Sequence, residues 1–158
     1  MATHVPWASV QEGQDWLLSC TPNPEAVQHA WEAEQLAAIP AGAHLRVAEA
    51  TLVRSLEAIR RLGFNPHGLV LADIHDDASW WLLPAGLTDE LDDVPGLTVH
   101  PAGWELLCPP VVRSVGGRWW VATPDGSGRL TDPTLLAAAF GPGGYRPERE
   151  DAPCPRTP

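Results

Sequence analysis

The constellation best suited to chemistry is Asp73-Ile74-His75-Asp76-Asp77, with carboxylates and an imidazole at alternate positions. In an extended strand alternate side chains share a face, so Asp73, His75 and Asp77 would converge. Two carboxylates with an imidazole can hold a divalent cation or move protons. The same residues also read as a polar hairpin turn ahead of Trp80, because Asp bonds its own backbone locally. Asp73, His75 and Asp77 are the candidate catalytic residues, and no metal is assigned to them. His100, Trp104 and Trp80 are the candidate ligand-binding residues. If the strand from Val99 to Trp104 lies beside Asp73, a second imidazole and a flat apolar wall border the carboxylates, which is the usual composition of a ligand pocket.

Other chemistries find less support. No Gly-x-Ser-x-Gly elbow precedes a helix. Asp125-Gly126-Ser127-Gly128 lacks the Lys of a phosphate loop and reads as a turn. Cys20, Cys108 and Cys154 lack metal-ligand spacing, and Cys108 lies in a strand-like run that would bury it. His44 and His100 have no pairing partner evident in the sequence. No cofactor is implied.

The elements that must position these groups can be read from periodicity. Residues 7–20 have roughly helical spacing weakened by Gly13. Asn23 and Pro24 begin a helix over 24–35, and Thr51 caps another over 52–62 that ends at Gly63. Asp132 and Pro133 start a last helix over 133–140. Alternating apolar runs predict strands at 38–48, broken by Pro40 and Gly42, and at 69–73, 79–84, 97–108 and 118–122, with an acidic loop or short helix at 88–94. The expected fold class is α+β: a mainly antiparallel sheet of about five strands with two to four covering helices. Helices 24–35 and 52–62 are expected on one face of it. Residues 1–140 form the expected single domain, and the Pro- and Gly-rich residues 141–158 a flexible tail. The expected core includes Trp31, Leu56, Ile59, Val70, Leu82, Leu106 and Trp120.

Composition narrows the function classes. A chain of 158 residues can bury a self-sufficient core without disulfides or metal. Its net charge of −10, with ten Arg and no Lys, argues against tight nucleic-acid binding, which needs a basic patch. The eight Trp read mainly as core and sheet cover, with a stacking platform for a flat ligand as the alternative. No leader or membrane span is expected from the sequence, and free thiols suit a cytoplasmic setting.

Several runs together carry a family likeness. They are Gly68-Leu69-Val70-Leu71-Ala72-Asp73, Leu82-Leu83-Pro84-Ala85-Gly86, Gly103-Trp104-Glu105-Leu106-Leu107-Cys108-Pro109-Pro110, and Gly117-Arg118-Trp119-Trp120 leading to Pro124-Asp125-Gly126. In this order and spacing the chain resembles the bifunctional DNA primase/polymerase domains, as a shortened actinobacterial offshoot of the archaeo-eukaryotic primase superfamily. The resemblance covers about residues 16–138 as an order of elements and 68–133 at the level of residues. It implies a two-metal nucleotidyl transfer site, with two carboxylates at alternate strand positions, a further carboxylate, and a His on an adjacent strand. Those positions do not carry over. The 36–48 run has no Asp-x-Asp or Asp-x-Glu, and the strand expected to carry the His reads Ser79-Trp80-Trp81-Leu82. The expectation is a non-catalytic binding or regulatory protein on a degenerate primase/polymerase-like fold. The alternative is a small cofactor-independent enzyme of specialised metabolism, with a Trp-lined cleft for an organic substrate. The expected partner is a small molecule or a protein, a homodimer being one option, with neither a membrane nor tightly bound nucleic acid.

Overall fold

The structure, a computed structural model, describes residues 7–63 and 68–140, and the side chains from residue 10 onward. The expected tail at 141–158 lies outside the described residues. Helices α1 (Trp7–Ser19) and α2 (Pro24–Glu32) precede strands β1 (Ala37–Pro40) and β2 (Leu45–Thr51). Helix α3 (Leu52–Leu62) leads to β3 (Val70–Asp73), which turns back into β4 (Ala78–Pro84). Then follow β5 (Thr98–Val99), β6 (Glu105–Cys108), β7 (Arg118–Ala122) and helix α4 (Pro133–Phe140).

Five strands form an antiparallel sheet in the order β5-β2-β4-β3-β7, and β1 pairs with β6 in a second, two-stranded sheet. The fold is α+β. β2 and β3 both run antiparallel to β4, which lies between them, so they are parallel to each other and joined by α3. This is a split β-α-β unit.

The two sheets are parts of one long ribbon with a corner in it. β2 pairs with β5 through Ala48–Val99, and β1 pairs with β6 through Ala37–Cys108 and Pro40–Glu105. Between them the His100 N–H donates to the Val47 carbonyl at 2.9 Å and the Ala41 N–H to the Trp104 carbonyl at 2.8 Å. The sequence predicted one strand over 38–48, interrupted at Pro40 and Gly42, and one over 97–108. The first does break at Gly42 (φ 141°), and the second breaks as well, at Gly103 (φ 93°), where the backbone angles favour glycine. β2 also runs on to Thr51.

Capping chemistry sets the helix limits. Asn23 Oδ1 accepts the Ala26 N–H, Thr51 Oγ1 the Arg54 N–H, and Asp132 Oδ1 the Thr134 N–H. α2 stops before residue 35 because Glu34 turns left-handed (φ 59°), which lets the Glu34 N–H reach the Trp31 carbonyl and the Gln35 N–H the Ala30 carbonyl.

The helices divide between the two faces of the sheet, which corrects the expectation that 24–35 and 52–62 share one. Leu17, Val27 and Trp31 of α1 and α2 pack with Val47, Leu71, Trp80, Leu82 and Trp120. Ala58, Leu136, Ala139 and Phe140 of α3 and α4 pack with Ala48, Val70, Trp81 and Leu83 on the other face. The physical reason is the central strand β4, which is buried on both faces from Ala78 to Leu83 and needs cover on each. Of the expected core, Trp31, Val70, Leu82, Leu106 and Trp120 are buried and Ile59 is half-buried. Leu56 is 47 % exposed, because α3 turns Leu52, Ser55 and Ala58 inward and leaves Leu56 outside that stripe. Among the described residues no helix is long and apolar enough to cross a membrane.

Candidate functional site

The expected group around Asp73 forms a turn and not a strand face. Residues 74–77 connect β3 to β4. Asp73 is buried, and its Oδ1 accepts the backbone N–H groups of His75 (2.9 Å) and Asp76 (3.2 Å). Its Oδ2 accepts the Arg118 Nε–H at 3.0 Å from the neighbouring strand β7. Burial pulls the Asp73 carboxyl upward. The Arg118 hydrogen bond, the two backbone donors and the guanidinium charge outweigh that and hold it below its ordinary value.

His75 and Asp77 point elsewhere. The exposed His75 imidazole lies against Gly117, where an added Cβ would come within 2.2 Å of Cδ2, so a side chain at 117 would displace the ring. Asp77, left-handed at φ 49°, accepts the Leu52 N–H through its carbonyl (3.2 Å) and the Val53 N–H through Oδ1 (3.3 Å). It thus serves the first turn of α3. Of the two readings open in the sequence, the turn is the one formed, because each carboxylate finds backbone N–H donors within a few residues or at a helix start.

Trp80 is 4 % exposed and lies beneath Arg118, whose guanidinium carbon sits 4.3 Å from the ring centroid. Arg118 also donates to the Leu107 carbonyl at 2.7 Å, tying β7 to β6. The Trp80 indole N–H is buried without a hydrogen-bond partner. This cluster is a sealed fastener between the two sheets.

His100 and Trp104 do not border Asp73. β2 and β4 separate β5 from β3, and the two residues lie at the corner of the ribbon. There they form a second cluster. The His100 and Trp104 rings stack with centroids 3.7 Å apart and 3° between planes. His100 Nε2 lies 2.7 Å from Glu49 Oε1, and Arg46 donates to the His100 carbonyl at 3.0 Å. Side-chain exposure is 16 % for His100 and 35 % for Glu49, so the pair is reachable from water. A carboxylate that orients an imidazole is an arrangement suited to proton transfer.

Glu49 is the residue that sequence reasoning missed. The predicted strand stopped at Ala48, and Ala48-Glu49-Ala50 has weak strand propensity. The signal that could have found it is the continued alternation from Leu45 and Val47 to Glu49, which places the carboxylate on the face that Trp80 also occupies.

Several cavities lie away from both clusters. One of about 580 Å³ lies between α1 and the 125–127 turn, lined by Glu12, Asp15, Trp16 and Ser19. One of about 280 Å³ lies between α2 and β1. None of Asp73, His75, Asp77, Trp80, His100 and Trp104 lines either of them. Among the described residues no three His, Cys, Asp or Glu side chains are grouped so as to hold a metal ion. Comparison with family models, with curated proteins and with solved structures gives no match for this chain.

Proposed function

We propose that this chain is a non-catalytic binding or regulatory protein, built on a shortened and degenerate primase/polymerase-like fold. The observation that carries the reading is the engagement of Asp73 by Arg118 and two backbone N–H groups. A carboxylate only 4 % exposed, with its charge matched by a guanidinium, is not presented to a substrate or cation. Two-metal nucleotidyl transfer needs at least two carboxylates converging on the cations. β2 supplies one, Glu49, and His100 holds it. The fold is α+β, as the sequence predicted, and a fold does not fix a function. The buried free thiols of Cys20 and Cys108 suit the reducing interior of a cell, so the proposed setting is cytoplasmic. The test is templated incorporation of labelled nucleotides with magnesium or manganese present. The expected result is none, and incorporation abolished by a chelator overturns the reading.

One observation favours a second reading, a small cofactor-independent enzyme acting on an organic substrate. The Glu49–His100 pair leaves His100 Nδ1 without a partner among the described residues, beside the flat Trp104 ring. Turnover of an organic substrate that is lost in His100→Ala, with the fold retained, would establish it. Unchanged turnover in that variant removes the pair from the chemistry.

A further inference from the structure

Strand β1 is hydrogen-bonded to β6 on one side and, among the described residues, has no strand on the other. The Ala41 N–H bond to the Trp104 carbonyl sets the phase of this ladder. In antiparallel pairs, residues that bond across the ladder alternate with residues that point away from it. Ala37 and Ile39 therefore turn toward Cys108 and Leu106, their partners on β6. The N–H and C=O of Ala38 and the C=O of Pro40 turn to the opposite edge. Among the described residues no strand pairs with that edge, and the cavity of about 280 Å³ runs between β1 and α2. Ala26 and Ala30 line its helix wall, Ala38 and Pro40 its strand wall, and Asn23 and Glu105 are among its polar side chains. Small side chains on both walls leave a channel between a strand edge and a helix.

We propose that this channel takes an extended segment of a partner protein, which adds as a further strand to the free edge of β1. The inference rests on the binding reading above and names the class of partner. Unpaired backbone donors and acceptors along an edge are matched by another backbone in extended conformation, which offers the same groups at the same spacing. Alternation along the incoming strand directs one side chain toward Ala26 and Ala30, where only a small or β-branched apolar residue fits. The exposed carboxylate of Glu105, opposite Pro40, favours Lys or Arg in the segment. A second copy of this chain fits less well, because a two-fold pairing of two β1 edges drives the two α2 helices together.

The test is panning of a display library of short random peptides against the intact chain, followed by affinity measurement on the enriched peptides. The expected result is enrichment of extended sequences with a small or β-branched residue near a basic one. Their affinity should fall at least roughly tenfold, about 1.4 kcal/mol, in Ala30→Trp, which fills the channel. Ala38→Pro deletes the outward N–H while sparing the ladder to β6, and should weaken binding as well. Thermal unfolding checks both variants. Should Ala38→Pro fail to fold, slowed hydrogen exchange of the Ala38 amide when peptide is added to the unmodified chain reads the same bond. Three results overturn the proposal: no enrichment, binding indifferent to Ala30→Trp, or a concentration-dependent dimer that Ala30→Trp abolishes. The non-catalytic reading survives each of them, since it falls only to detected turnover.

Discussion

Two carboxylate–tryptophan clusters are built on the same face of the five-stranded sheet, and they differ in their access to water. Asp73 sits at the end of β3, and Glu49 on β2 pairs across the sheet with Trp80. Asp73 is sealed by Arg118, and the Asp73 and Arg118 side chains are 6 % and 15 % exposed. Glu49 meets His100 at the ribbon corner, where the carboxylate is 35 % exposed. The chemical groups are alike, an acid with a basic partner beside an indole. Burial decides their roles. The sealed pair is a structural tie that depends on both members, and the open pair can exchange protons or partners.

The strongest way to break this contrast is Arg118→Ala. It strips a buried carboxylate of its counter-charge and should destabilise the chain by about 3–5 kcal/mol in urea unfolding. A loss under about 1 kcal/mol would place Asp73 in water and erase the distinction. Acid titration sharpens it next. The folded Asp73 carboxyl is held below its unfolded value, so its contribution is present above about pH 4 and is lost as pH falls through the lower folded value. Unfolding followed over that range should show the loss, and Asp73→Asn should flatten that part of the profile. The smallest effect is expected from Glu49→Gln. A partly exposed pair contributes about 1 kcal/mol or less, so unfolding should barely move while the emission of Trp104, stacked on the released imidazole, changes. A large loss of stability in Glu49→Gln would make the corner as structural as the Asp73 cluster.

Local signals were legible in the sequence wherever one residue decides the backbone. Thr51, Asn23 and Asp132 cap the helices they were expected to cap, and α3 and α4 keep their expected limits. The strands were legible as apolar runs, and so was the break at Gly42, but the break at Gly103 was not, because that glycine matters only once the ribbon is paired. The division of helices between faces was present in Trp80-Trp81-Leu82-Leu83, a run without alternation that only a strand covered on both sides can tolerate. The site was legible as residue types and not as an arrangement. Arg118 and Asp73 are 45 positions apart, and no periodicity links them. Glu49 and His100 are 51 apart and meet through a strand pairing that neither run announces.

The corner in the ribbon has a kinetic consequence. β3 and β4 are joined by a four-residue turn and can zip from it at little entropic cost. The β1–β6 ladder joins Ala37 to Cys108, so four of the five strands of the central sheet, β2 to β5, lie within the loop it closes. Such a ladder is expected to form after the hairpin during folding. In the folded chain it is a short two-stranded unit set off from the larger sheet by a break in pairing, so it should open without the rest. In native-state hydrogen exchange the amides of Ile39 and Leu106 should therefore report a lower opening free energy than those of Leu71 and Leu82, making the small sheet the yielding part of an otherwise stiff molecule.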